Sequence, residues 1–120
     1  MFAAGIADRT AVATSALCVV HCLAAPIASV LLPIGGAVFA AEGVHVALAS
    51  VAMAMVVTVA VFAPRGRSPA FLIPALLGCA FLVAGLEHER IGIDERLATV
   101  IGGVLLATAH VRRLLNHQRV

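Results

Sequence analysis

Residues 11 to 41 of this chain contain no charged side chain, and neither do residues 43 to 63. A third uncharged run covers residues 68 to 86, and a fourth lies between Leu97 and Val111. Runs of this length constrain the fold more than any motif, since a helix needs about 20 apolar residues to cross the hydrocarbon core of a bilayer. Hydrocarbon also forbids open sheet edges and exposed irregular backbone, which leaves helices at this spacing. The composition agrees. The 120 residues are 62% hydrophobic and 12% charged, with a mean hydropathy of +1.11, whereas soluble domains run about 45–50% apolar and roughly 25% charged. A soluble fold of this size buries only about two-thirds of its area and could not hide so much apolar surface.

The spacing predicts one four-span domain over residues 1–120, with helices at about 11–33, 43–63, 69–87 and 95–115. The fourth reaches spanning length by starting near Asp94 and running to Leu115, with Arg112 and Arg113 snorkelling to the interface. Arg9, Arg65, Arg67, Arg112, Arg113 and Arg119 fall at one set of helix ends. Glu42, Glu87, Glu89, Asp94 and Glu95 fall at the other, diluted by Arg90 and Arg96. Arginine excess marks the cytoplasmic side. The expected fold is therefore an all-α membrane protein, a four-helix transmembrane antiparallel bundle with both termini cytoplasmic. The first run is expected to stay as a helix, because its n-region holds Asp8 beside Arg9 and its apolar stretch exceeds a signal-peptide core.

Punctuation follows the same scheme. Pro33 to Gly36 closes the first helix, and Pro64 with Pro69 brackets the inner turn. Pro26 is expected to kink the first helix, since it lacks an N–H and its ring crowds the preceding turn. Gly102 and Gly103 are expected to let the fourth helix approach a neighbour closely.

Against this apolar background the segment CVVHC at residues 18–22 stands out. Cys18 and Cys22 share a helix face at i,i+4, and Cys18 neighbours His21 at i,i+3. His21 lies about 15 Å along the helix from residue 11, near mid-bilayer. His110 is expected at a depth comparable to Ser15 or Cys18, and Cys79 midway along the third helix. Cys18, Cys22, His21, Cys79 and His110 thus form a candidate set of soft donors, suited to Zn2+, Cu+ or a similar ion. A second group lies at the outer end, where Glu42 and His45 open the second helix and Glu87 and His88 close the third. Glu95 begins the fourth, with Thr99 one turn on. Carboxylates beside imidazoles bind divalent cations or orient the imidazoles as ligands. Cys79 reads on its own as a packing residue, His117 as interfacial, and Glu89 and Arg90 as a solvated loop. An odd cysteine count in apolar sequence does not describe a disulfide scaffold. No phosphate-binding loop, dinucleotide fingerprint, HExxH or nucleophile elbow occurs. The arginines follow membrane edges, which gives nucleic acid no basic face.

The chain resembles the MerC family of small bacterial inner-membrane proteins from Asp8 to Asn116. The marks are Asp8–Arg9, SALCVVHCLAAP at 15–26, EGVH at 42–45, LEHE at 86–89, Glu95 with Thr99 and Gly103, and ATAHVRRLLN at 107–116. The resemblance implies a multi-pass protein of the bacterial inner membrane that handles mercury or another divalent metal, with Cys18 and Cys22 carrying it. No Cys follows Cys79, so a second cysteine pair is missing, which brings zinc and copper in beside mercury. The expected function is binding and transport of a soft ion (Hg2+, Zn2+ or Cu+) across the membrane, without enzymatic chemistry. Capture would occur at Glu42, His45, Glu87 and His88, with transfer to Cys18 and Cys22 near His21 and His110. A homodimer would supply the room for alternating access that 120 residues lack. Two other readings stay open: a haem-binding redox module with His21 and His110 as axial ligands, and a non-transporting accessory protein.

Overall fold

The computed structural model describes residues 2–31, 34, 42–63 and 65–118, with side chains except those of residues 2–4, 19, 22, 23, 25, 26, 28–30, 42, 117 and 118. The expected turn at Pro33 to Gly36, Pro64, and the side chains of Pro26 and His117 lie outside the described residues. Those described form helices joined by short turns and contain no strand. Five helices follow in order: α1 (Phe2–Leu31), α2 (Glu42–Phe62), α3 (Pro69–Leu86), the short α4 (His88–Ile91) and α5 (Glu95–Gln118).

The helix ends have local causes. Pro69 stands at the first turn of α3, where a missing N–H costs nothing. Asp94 accepts a hydrogen bond at Oδ1 from the Leu97 backbone N–H at 2.9 Å, capping α5. Gly92 stops α4 in the left-handed region, with φ 76°. Pro74 falls close enough to the start of α3 for the helix to continue through it. The backbone of α1 is helical at position 26 as well.

Two boundaries differ from expectation. Helix α1 begins at Phe2, nine residues before position 11, so Asp8 and Arg9 lie inside it. The chain between carries alanines and no proline, which favours helix, and the Asp8 side chain is engaged by α5. The external segment expected between the third and fourth helices contains the extra turn α4.

Helices α2, α3 and α5 contain stretches long and apolar enough to cross a membrane, at Gly43–Phe62, Pro69–Leu86 and Glu95–Asn116. Burial runs opposite to that of a soluble helix. Along α1 the buried positions are Ala7, Asp8, Ala11, Thr14, Ser15, Cys18 and His21, while Ile6, Leu17, Val20, Ile27 and Leu31 are exposed. Elsewhere Val57, Phe62, Ile73, Leu76 and Val104 also face outward. So much exposed apolar surface requires an apolar surrounding.

Helix α5 packs most extensively on α3 and on α1, and α1 packs on α2. The α3–α5 contact is set by glycine. A Cβ on Gly102 would lie 2.8 Å from the Gly78 carbonyl oxygen, and one on Gly78 would lie 2.9 Å from that of Gly102. The backbones therefore touch, which is how helices associate where lipid removes the hydrophobic drive between them. The expectation of close approach holds at Gly102. The register is antiparallel, since Gly78 meets Leu106 while Gly85 meets Glu95 and Thr99. The apolar core is Ala49, Ala52, Val56 and Val59 of α2, Phe71, Ala75 and Leu82 of α3, and Leu106 and Ala109 of α5, with Ala7 of α1.

Candidate functional site

One face of α1 collects the chemistry. Asp8, Ser15, Cys18 and His21 recur at helical spacing and are all buried. Large apolar residues occupy the other faces, so the polar stripe has to turn toward α2 and α5. Polar groups at membrane depth cost free energy unless partners meet them. Two sets of partners do so, one at each end of the stripe.

At the end where α2 and α5 begin, His45 lies between two α5 side chains. Its Nδ1–H donates to Glu95 Oε1 at 2.7 Å. Its Nε2 meets Thr99 Oγ1 at 3.0 Å. The carboxylate can only accept, so the neutral imidazole carries its hydrogen on Nδ1 and Nε2 accepts from the hydroxyl. Gly85 of α3 makes room for this hydroxyl, as a Cβ there would lie 2.7 Å from Thr99 Oγ1. The His21 ring stands 6.5 Å from the His45 ring, centroid to centroid. At the other oxygen of Glu95, His88 Nε2 lies 3.8 Å from Oε2, and His88 Nδ1–H donates to the Gly85 carbonyl at 3.0 Å. The imidazoles of His45 and His88 thus flank one carboxylate, and the His21 ring lies beside that of His45.

At the opposite end, the first and last helices are joined by a buried charge pair. His110 Nδ1–H donates to Asp8 Oδ1 at 2.6 Å, and Arg113 Nη1 donates to Asp8 Oδ2 at 3.1 Å. Asp8 and His110 are wholly inaccessible and Arg113 is 8% exposed. Short charge-assisted bonds to both carboxylate oxygens are what make a buried Asp tolerable. The His110 ring also stands edge-on to Phe71 of α3, with centroids 5.1 Å apart. Its Nε2 has no hydrogen-bond partner among the described residues.

Residues 8–115 match the family model described as MerC mercury resistance protein. The chain belongs to the MerC family. The match begins at Asp8 and so encloses both polar ends of the stripe. The family is one of mercury resistance, and three long apolar helices fit a membrane protein. Neither the curated proteins nor the solved structures yield a match.

Within this MerC-family chain the residues expected from sequence divide in three. Cys18 and His21 are buried on the inward face of α1, with His21 beside His45. The side chains of Cys22 and Glu42 lie outside the described residues. His110 is not level with Cys18: its partner Asp8 precedes Cys18 by ten residues, about 15 Å along the helix. Starting α1 at residue 11 displaced the register, because the true helix begins nine residues earlier. The same placement separates His21 from His110, the two ligands that a haem reading needs face to face. Glu87 turns to Arg90, 3.3 Å away and exposed, rather than to His88. Arg113 does not snorkel, since Asp8 draws it inward, while Arg112 is exposed.

Asp8 and Glu95 are the carboxylates that organise the histidines; Glu95 was expected in the outer group though not among the capture residues, and Asp8 in neither. Asp8 had one legible signal, its position seven and ten residues before Ser15 and Cys18, on the same helical face. Cys79 is half-buried against the apolar core, as a packing residue would be. Among the described residues, no group of three or more His, Cys, Asp or Glu side chains is arranged to hold a metal ion.

Proposed function

We propose that this protein binds a soft divalent metal ion and carries it across the bacterial inner membrane. It would do so as a four-helix antiparallel bundle in a single domain, with residues 11–31 of α1 supplying the fourth span and both termini cytoplasmic. The arginines at one set of helix ends support this orientation. Membership of a mercury resistance family supports the class of ion.

The observation that carries the reading is the burial of Cys18 and His21 on one inward face of α1, beside the His45–Glu95 pair. Cys22, at i,i+4 from Cys18, is the second proposed thiol. Mercury(II) needs only soft sulfur donors and can pass between thiolates by ligand exchange. His21 and His45 would add nitrogen donors for zinc, provided the Thr99 hydroxyl yields the His45 Nε2 lone pair. Glu95 then acts as the partner that orients and enriches the imidazole.

Titration of purified protein with Hg2+ tests this reading. The expected result is one tightly held ion per chain, accompanied by a thiolate-to-mercury absorption band, with both lost in Cys18→Ser/Cys22→Ser. Unchanged Hg2+ stoichiometry and absorption in that variant would contradict it.

A further inference from the structure

The two oxygens of Glu95 have different occupations. Oε1 accepts from His45 and is thereby fixed. Oε2 faces His88 Nε2 across 3.8 Å. The His88 ring is already committed at its other nitrogen, where Nδ1–H donates to the Gly85 carbonyl at 3.0 Å. A carbonyl oxygen can only accept, so the neutral ring carries its hydrogen on Nδ1 and turns its Nε2 lone pair toward the carboxylate. In that form the ring offers no hydrogen to Glu95, and both facing atoms are electron-pair donors.

The width of this gap decides what fits. A proton shared between imidazolium and carboxylate draws the heavy atoms to about 2.7–2.9 Å, and 3.8 Å lies well outside that range. A metal ion sits further from each donor. Two zinc bonds of about 2.1 Å, meeting at the tetrahedral angle, span about 3.4 Å. At 3.8 Å the angle would open to about 130°, and a shift of about 0.4 Å by either side chain brings the pair to the tetrahedral span. The site is also open: His88 and Glu95 side chains are 32% and 39% exposed, so water can complete the coordination shell. Glu87 is held by Arg90 and does not compete for the position.

We propose that His88 Nε2 and Glu95 Oε2 form a two-donor site for a borderline divalent cation of the zinc class, at the end of the protein where α5 begins. Mixed nitrogen and oxygen donors select such an ion over the thiol-seeking ones. The site contains no sulfur, so it is distinct from the thiol centre on α1 and does not depend on it. An ion on Oε2 also draws charge from the carboxylate that holds His45, which links occupancy here to the imidazoles deeper in the stripe.

The test uses full-length protein in detergent with all three cysteines replaced by serine, titrated with Zn2+ against a chromophoric chelator. One equivalent of Zn2+ should bind, weakened at least tenfold by His88→Gln and also by Glu95→Gln. His88→Gln leaves the His45–Glu95 bond in place, and circular dichroism confirms that its helices persist. No zinc uptake by the cysteine-free protein, or equal affinity in His88→Gln, would overturn the proposal. Hg2+ titration of His88→Gln with its cysteines intact should match that of the parent protein, which separates failure of this site from failure of the thiol centre.

Discussion

Replacing Asp8 with Asn removes one negative charge from a place water does not reach. The Asp8 carboxylate lies 3.1 Å from Arg113 Nη1 and 2.6 Å from His110 Nδ1, and the three side chains are almost wholly buried. At an effective dielectric of about 20, two unit charges 3.1 Å apart attract by about 5 kcal/mol, much of it offset by the cost of taking both from water. The net worth of the pair is therefore small, but the cost of breaking it is not. An Asn keeps one acceptor and leaves the guanidinium charged and buried, a state that costs roughly 3–5 kcal/mol. Removing the second charge as well, in Asp8→Asn/Arg113→Met, should restore most of the loss, because the buried cation is then gone too. The assay is reversible unfolding in mixed micelles with increasing SDS, followed by circular dichroism, for both single variants and the double. A loss below about 1 kcal/mol in Asp8→Asn, or a double variant no more stable than Asp8→Asn, would refute a buried ion pair between α1 and α5.

Three further outcomes follow from the contacts. Gly102→Ala places a methyl group 2.8 Å from the Gly78 carbonyl oxygen and 3.0 Å from Leu82 Cγ; the backbones must separate, and SDS unfolding should register a loss of about 1–3 kcal/mol. Gly85→Ala meets a hydroxyl rather than backbone, so Thr99 should rotate away with a smaller loss of stability and give up its bond to His45. The His45 nitrogen resonances should show that change as a shift at Nε2. Cys79→Ala should leave Hg2+ stoichiometry unchanged and shift unfolding by no more than about 1.5 kcal/mol, since Cys79 only packs, half-buried, against the core.

What could be read before the fold was known, and what could not, has a physical explanation. Charge-free runs and their breaks locate α2, α3 and α5 closely, because desolvating a charge is so costly that the pattern has little freedom. Gly102 was legible for a similar reason, as glycine in a membrane helix usually serves close approach. Grouping His45, Glu95 and Thr99 at one end followed from placing the starts of α2 and α5 together, but that Glu95 is the carboxylate bonded to His45 did not. His110 was misplaced because the depth of a residue depends on where its partner helix begins. With α1 starting at Phe2, Asp8 becomes an interior residue and captures both His110 and Arg113. Charge pattern alone treats Asp8 as part of a terminal segment and Arg113 as an interfacial anchor. Only the register of α1 against α5, set across more than a hundred residues, makes them partners.

The central claim is that the buried face of α1 carries a soft metal ion through the membrane. Uptake of radioactive Hg2+ by bacterial cells expressing the protein measures this directly. Expression should raise the initial uptake rate above that of cells carrying an empty vector, and Cys18→Ser/Cys22→Ser should return it to that baseline at equal membrane abundance. Uptake equal to the empty-vector rate for the intact protein, or undiminished in the double variant, would contradict the account.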